Sequence, residues 1–113
     1  MTRPGNPLAQ RWHEDVDRLL LDPARLFVMG VLVAAPDYFR FGYLCENSGI
    51  TRTVLARHVR RLRLAGYVET RRGACNQLWT RTTSLGQQRF EQHVKAAQET
   101  ITKARDIGKS ARS

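Results

Sequence analysis

Between positions 52 and 81 the chain carries eight arginines (Arg52, Arg57, Arg60, Arg61, Arg63, Arg71, Arg72 and Arg81) against a single acid, Glu69, and no lysine. Arginine presents a planar, permanently charged fork of N–H donors that fits a phosphate or the edge of a guanine, which the point charge of lysine does not. One carboxylate cannot lace eight guanidinium groups into salt bridges, so this charge points to an external anion. The 113-residue chain has a formal net charge of +9, and eight arginines against one glutamate put +7 of it in this stretch.

Other chemistries find little support. There is no glycine-rich phosphate loop, no pair of carboxylates at catalytic spacing and no cluster of metal ligands, so neither an enzyme nor a cofactor or metal site is expected. His13, His58 and His93 are scattered singly, and the acidic run Glu14-Asp15-Val16-Asp17 reads as a solvated helix face. Two cysteines are too few for a disulfide framework. Cys45 falls in an apolar stretch and is expected in the core. Cys75 falls at a hairpin tip, as an incidental exposed thiol or, less simply, a redox-sensitive one. The longest apolar run, 26–36, is interrupted by Gly30 and falls short of the roughly 20 residues of a membrane span. With no signal-like N-terminus, a cytoplasmic location is expected.

The elements that must position the arginines are legible from period and punctuation. Residues 1–7 hold two prolines and a glycine and read as a flexible leader. A single domain follows over 8–107, with a flexible tail at 108–113. Leu8, Trp12, Val16, Leu19 and Leu20 have the spacing of one helix face. Asp22-Pro23 is a cap followed by a first-turn proline, opening a core helix over 23–35 that Pro36 stops. Tyr38-Phe39-Arg40-Phe41 alternates as a short strand, and a brief helix is expected at 42–48. Asn47-Ser48-Gly49 is turn chemistry. Thr51 caps the next helix, 52–65, whose apolar positions are Leu55, Val59 and Leu62. Residues 67–72 and 77–82 read as two strands around a tip at 73–76. A last helix, 84–106, carries Phe90, Val94, Ala97, Ile101 and Ala104 at heptad spacing.

This order predicts a mainly α fold with a small β-hairpin. The helix pair at 42–65 forms a helix-turn-helix and the hairpin at 67–82 a wing. The strings Asp22-Pro23-x-Arg25-Leu26, Gly49-Ile50-Thr51, Leu55-x-x-His58-Val59-x-x-Leu62-x-x-x-Gly66-Tyr67-Val68 and Thr83-x-x-Gly86-x-x-x-Phe90 resemble the winged helix-turn-helix regulators related to MarR and ArsR, in their compact single-domain form. The resemblance covers about residues 22–90. It implies a regulator of transcription that binds double-stranded DNA as a homodimer, with extra N- and C-terminal helices for dimerisation. Metal-sensing cysteine pairs or terminal-helix His/Asp sets of the ArsR type are missing from the sequence. An effector, if the chain has one, is not readable. A winged helix serving RNA, the ribosome or protein assembly stays open as the alternative.

At about 100° per residue, Leu55, Val59 and Leu62 fall on one stripe of helix 52–65, opposite Thr53, Ala56, Arg57, Arg60 and Arg61. A major groove about 12 Å wide admits one helix, read mostly by its N-terminal part. Thr51, Arg52, Thr53 and Arg57 are therefore assigned to bases or their surroundings, and Arg60 and Arg61 to phosphates. Arg71 and Arg72 at the wing are assigned to the backbone or minor groove. His58, Tyr67 and Trp79 are expected to pack. Leu8, Trp12, Val16 and Leu19 with Phe90, Val94, Ala97 and Ile101 are expected to form the dimer interface.

Overall fold

The computed structural model of the chain describes residues 10, 12 and 14–112. Leu8, His13 and the leader 1–7 lie outside the described residues. Gln10, Trp12, Glu14 and Asp15 are helical, and the Val16 N–H donates to the Trp12 carbonyl at 3.3 Å. The helix face expected to run on to Leu20 is broken here. Asp17 is extended, and its carboxylate accepts the Leu19 N–H at 2.9 Å to cap a 3₁₀ turn, Arg18–Leu21. A short acid that can bond a nearby amide favours a cap over a helix interior.

Helix α1, Pro23–Ala34, begins where Asp22 accepts the N–H groups of Ala24 (2.8 Å) and Arg25 (3.2 Å). The bond from Arg25 leads in holding the Asp22 carboxyl below its usual pKa, against an opposing push from burial. The helix ends before Pro36, with Ala35 extended. It buries Val28, Met29 and Leu32 completely or nearly so, at the centre of the core. Strand β1 is the dipeptide Phe39–Arg40, and α2 follows over Phe41–Ser48. Gly49 closes α2 in the left-handed region (φ 71°), its N–H reaching the Cys45 carbonyl at 3.0 Å, and so turns the chain tightly into α3.

Helix α3, Arg52–Leu64, buries Leu55, Val59 and Leu62 against α1 and α2 and leaves its other positions to solvent or half-buried. Strands β2 (Val68–Arg72) and β3 (Leu78–Thr82) pair antiparallel around a tip at Ala74–Asn76, and β1 adds to β3 on the far side, giving the order β1-β3-β2. Helix α4, Ser84–Arg112, starts against the wing base, where the Thr83 hydroxyl accepts the Gly86 N–H at 3.0 Å. Here the backbones touch. A Cβ on Gly86 would sit 2.8 Å from Thr82 Oγ1 and 2.9 Å from the Tyr67 carbonyl carbon, and closer still to its oxygen.

The last helix is longer than the sequence predicts. Residues 108–112, expected as a loose tail, are helical, and every residue from Ile101 to Arg112 is exposed. Gly108 does not break the helix, and Lys109 and Arg112 in its last turn suit the negative end of its dipole. The molecule reaches 61 Å along its long axis. Among the described residues no helix is long and apolar enough to cross a membrane.

Candidate nucleic-acid interface

The side chains of β2 and β3 alternate between two faces. Val68 pairs with Thr82, Thr70 with Thr80 and Arg72 with Leu78, on the face toward the core and α3. Glu69 pairs with Arg81 and Arg71 with Trp79, on the outer face. The two wing arginines treated alike in the sequence therefore point to opposite sides.

On the inner side a cleft of about 790 Å³ opens between the N-terminal half of α3 and the wing, lined by Arg52, Thr53, Ala56, Arg72 and, from the end of β1, Arg40. It continues into a second lobe, sharing Phe41, Ala56, Arg72 and Leu78, where Arg60 and Arg63 project from α3. Arg52 lies over the Phe41 ring at 5.1 Å, and Arg72 donates to the Asn76 carbonyl at 3.0 Å, so both cations are held at the rim. Glu46 is the acid among the lining residues of this cleft.

Arg57 stands exposed on the ridge of α3 directly opposite the buried stripe, and Arg61 on the flank away from the wing; neither lines the cleft. Thr51 is exposed but its hydroxyl is engaged, accepting the Val54 N–H at 3.4 Å as the cap of α3. Arg71 extends along the outer face, 4.3 Å from the Tyr38 ring centre. The structure thus brings Arg52, Thr53, Arg60, Arg72 and, at the second lobe, Arg71 to one cleft, with Arg57 on the adjoining ridge. It adds Arg40 and Arg63, which the sequence reading did not single out. Arg63 sits at helical spacing from Arg52, Ala56 and Arg60, a signal that was available. Arg40, the last residue before α2, joins them where the chain turns into that helix: a Cβ on Gly42 would lie 3.9 Å from both Arg40 Nε and Arg52 Nη1.

Behind the interface, His58 is half-buried and its Nδ1 accepts from Arg25 Nη1 at 3.2 Å, tying α3 to α1. Arg25 Nε also donates to the Leu19 carbonyl at 2.6 Å. The wing base is anchored through Tyr67, whose hydroxyl donates to Asp17, and the Asp17 N–H donates to His93 Nδ1 on α4 at 3.0 Å. Burial, reinforced by Asp17, pushes the Tyr67 pKa up to about 12, while burial lowers that of His93 against the pull of Asp17. Trp79 is half-buried, with its indole over Gly73 at the wing tip.

The residues expected at a dimer interface divide into two sets. Leu19 and Phe90 pack against the core of their own chain, and Val16, Val94 and Ala97 are half-buried. Trp12 (43% exposed) and Ile101 (52%) present apolar surface, and Trp12 Nε1 donates to Thr100 Oγ1 at 2.6 Å, joining the two terminal elements. Among the described residues no group of three His, Cys, Asp or Glu could hold a metal. Cys45 is half-buried, with its thiol pKa raised mainly by burial, and Cys75 is exposed at the wing tip with φ 58°.

A helix pair joined by a tight glycine turn, a three-stranded wing and a basic cleft between them define a winged helix-turn-helix protein. The chain belongs to the winged helix DNA-binding domain family, which it matches over residues 24–101. Its fold is that of a transcriptional regulator homologue from Pyrococcus horikoshii, with a TM-score of 0.77, 19% identity, and cover of 84% of this chain and 97% of that one. It is also similar to the YusO protein of Bacillus subtilis (TM-score 0.68, 14% identity, 93% and 82% covered). A MarR-family regulator from Silicibacter pomeroyi matches at 0.64, with 15% identity and 86% and 66% covered. No curated protein sequence matches the chain.

Proposed function

We propose that the chain is a sequence-specific transcription regulator that binds double-stranded DNA as a homodimer in the cytoplasm. In this reading α3 enters the major groove, with Arg52, Thr53 and Arg57 toward base edges or their surroundings and Arg60 and Arg61 toward phosphates. Thr51 sits at the N-terminus of α3, where a flanking phosphate meets the helix amides. Arg72 and Arg71 hold the wing to the backbone or the adjacent minor groove. The observation that carries this reading is the continuous arginine-lined surface from the ridge of α3 across the cleft to the wing.

One recognition helix covers only a few base pairs, and two copies about 34 Å apart would read a palindrome. Trp12, Val16, Val94, Ala97 and Ile101, continued by Ile107 on the projecting half of α4, supply the apolar surface for pairing. Leu19 and Phe90 support it from within the core, and Leu8 precedes it in sequence. Selection of bound sites from random duplex DNA, with an RNA pool as control, tests the proposal. Enrichment of a two-fold symmetric site bound roughly 10³ times more tightly than bulk DNA is expected. Preference for RNA, or no enriched sequence, refutes it.

A further inference from the structure

The outer face of the wing holds a charged and aromatic cluster that meets the α3 cleft at Arg71, which also lines the second lobe of that cleft. Tyr38, just before β1, lies with its ring centre 4.3 Å from the Arg71 guanidinium carbon and 4.8 Å from that of Arg81. Its hydroxyl donates to Glu69 Oε1 at 3.4 Å, and the same carboxylate oxygen pairs with Arg81 Nε. Two bare guanidinium cations against one ring would repel each other. Glu69 neutralises one of them, which lets the ring hold both. The charge of Arg81 is therefore spent inside the cluster. Arg71 is exposed, and among the described residues no carboxylate pairs with it. A cation held through a π face keeps its N–H edges turned outward.

The geometry points to Tyr38 as a positioning residue that holds Arg71 as a phosphate contact on the outer side of the wing, with Glu69 and Arg81 as its support. This rests on the reading of the chain as a duplex binder and extends it to a second face of the wing. The side-chain freedom that an exposed arginine gives up on reaching a phosphate is here partly given up in advance. Losing the ring frees Arg71 and weakens the contact without removing the charge.

The test measures binding of the full chain to a fluorescent mixed-sequence duplex across a salt series. Tyr38→Ala should weaken binding roughly two- to five-fold. Tyr38→Phe, which keeps the ring and loses only the long bond to Glu69, should stay near wild type. Arg71→Ala should weaken binding further and flatten the salt slope by about one contact. The double variant Tyr38→Ala/Arg71→Ala should bind like Arg71→Ala alone, because the ring acts only through that arginine. Wild-type binding by Tyr38→Ala, or losses that simply add in the double variant, overturn the inference while leaving duplex binding intact. A wild-type chain that ignores duplex DNA overturns both. A measurement free of folding effects is the Arg71 Nε–H proton resonance of the wild-type protein. It should be shifted upfield by the ring current and return to the ordinary range in Tyr38→Leu. An unshifted wild-type resonance refutes the stacking itself.

Discussion

Replacing Gly86 by alanine adds one methyl group at the third residue of α4, where helix propensity alone predicts a gain of up to about 1 kcal/mol. The packing predicts the opposite. The new Cβ would lie 2.9 Å from the Tyr67 carbonyl carbon and 2.8 Å from Thr82 Oγ1, inside the 3.0 Å that real Cβ atoms keep. The atoms in the way are backbone and the stem of a buried side chain, so the start of α4 must back away from the wing base. Overpacking of this kind costs about 1–3 kcal/mol. The movement also stretches the Thr83 N–H bond to the Tyr67 carbonyl, now 3.0 Å, for about 1 kcal/mol more. Set against the propensity gain, the net loss is about 1–3 kcal/mol, or a Tm lowered by about 4–12 °C in a chain of this size. Gly108→Ala is the control, because nothing lies within 4 Å of its added Cβ. It should stabilise by up to about 1 kcal/mol. Thermal melts followed by circular dichroism decide the matter, and equal melting of wild type and Gly86→Ala would refute the argument from backbone contact.

Three further outcomes follow from the interface and the groups behind it. Arg57→Ala should cost roughly 1–3 kcal/mol on a selected site and relax its specificity, whereas Arg60→Ala should weaken all duplexes alike; anisotropy titrations on specific and random DNA separate the two. Because the folded-state pKa of His93 is depressed, its stabilising share is present above the ordinary histidine value of 6.5 and is lost as pH falls through the folded value. Urea midpoints should therefore drop between about pH 7 and 5 by more in wild type than in His93→Gln, which keeps an acceptor for the Asp17 N–H. Tyr67 has the opposite sign: its share is intact below about pH 10 and is lost as pH rises through about 12, so one phenolate should appear there in an ultraviolet titration and vanish in Tyr67→Phe.

The parts of the fold legible in the sequence were those governed by neighbouring residues. Asp22-Pro23, Gly49 and Thr51 start and stop helices by bonds spanning two to four positions, and those boundaries fell within a residue or two of the structure. The buried stripe Leu55, Val59 and Leu62 followed from the helical period. The features that the sequence does not show depend on distant partners. The break at Val16–Asp17 is fixed by Tyr67 and His93, fifty and seventy-six positions away. The opposite directions of Arg71 and Arg72 need the strand register, and the role of Tyr38 needs the pairing of β1 with β3. The extent of α4 is not legible because Gly108 and the polar residues around it resemble a tail in composition, although nothing there forbids a helix.

The projecting end of α4 also makes the chain a reporter on its own assembly. Twelve exposed residues in water sit near the length at which an isolated helix is marginal, so their amides should open and exchange readily in a dilute solution of single chains. Any association that covers Ile101 and Ile107 slows that exchange, turning deuterium uptake at the far end of the molecule into a gauge of how many copies have come together.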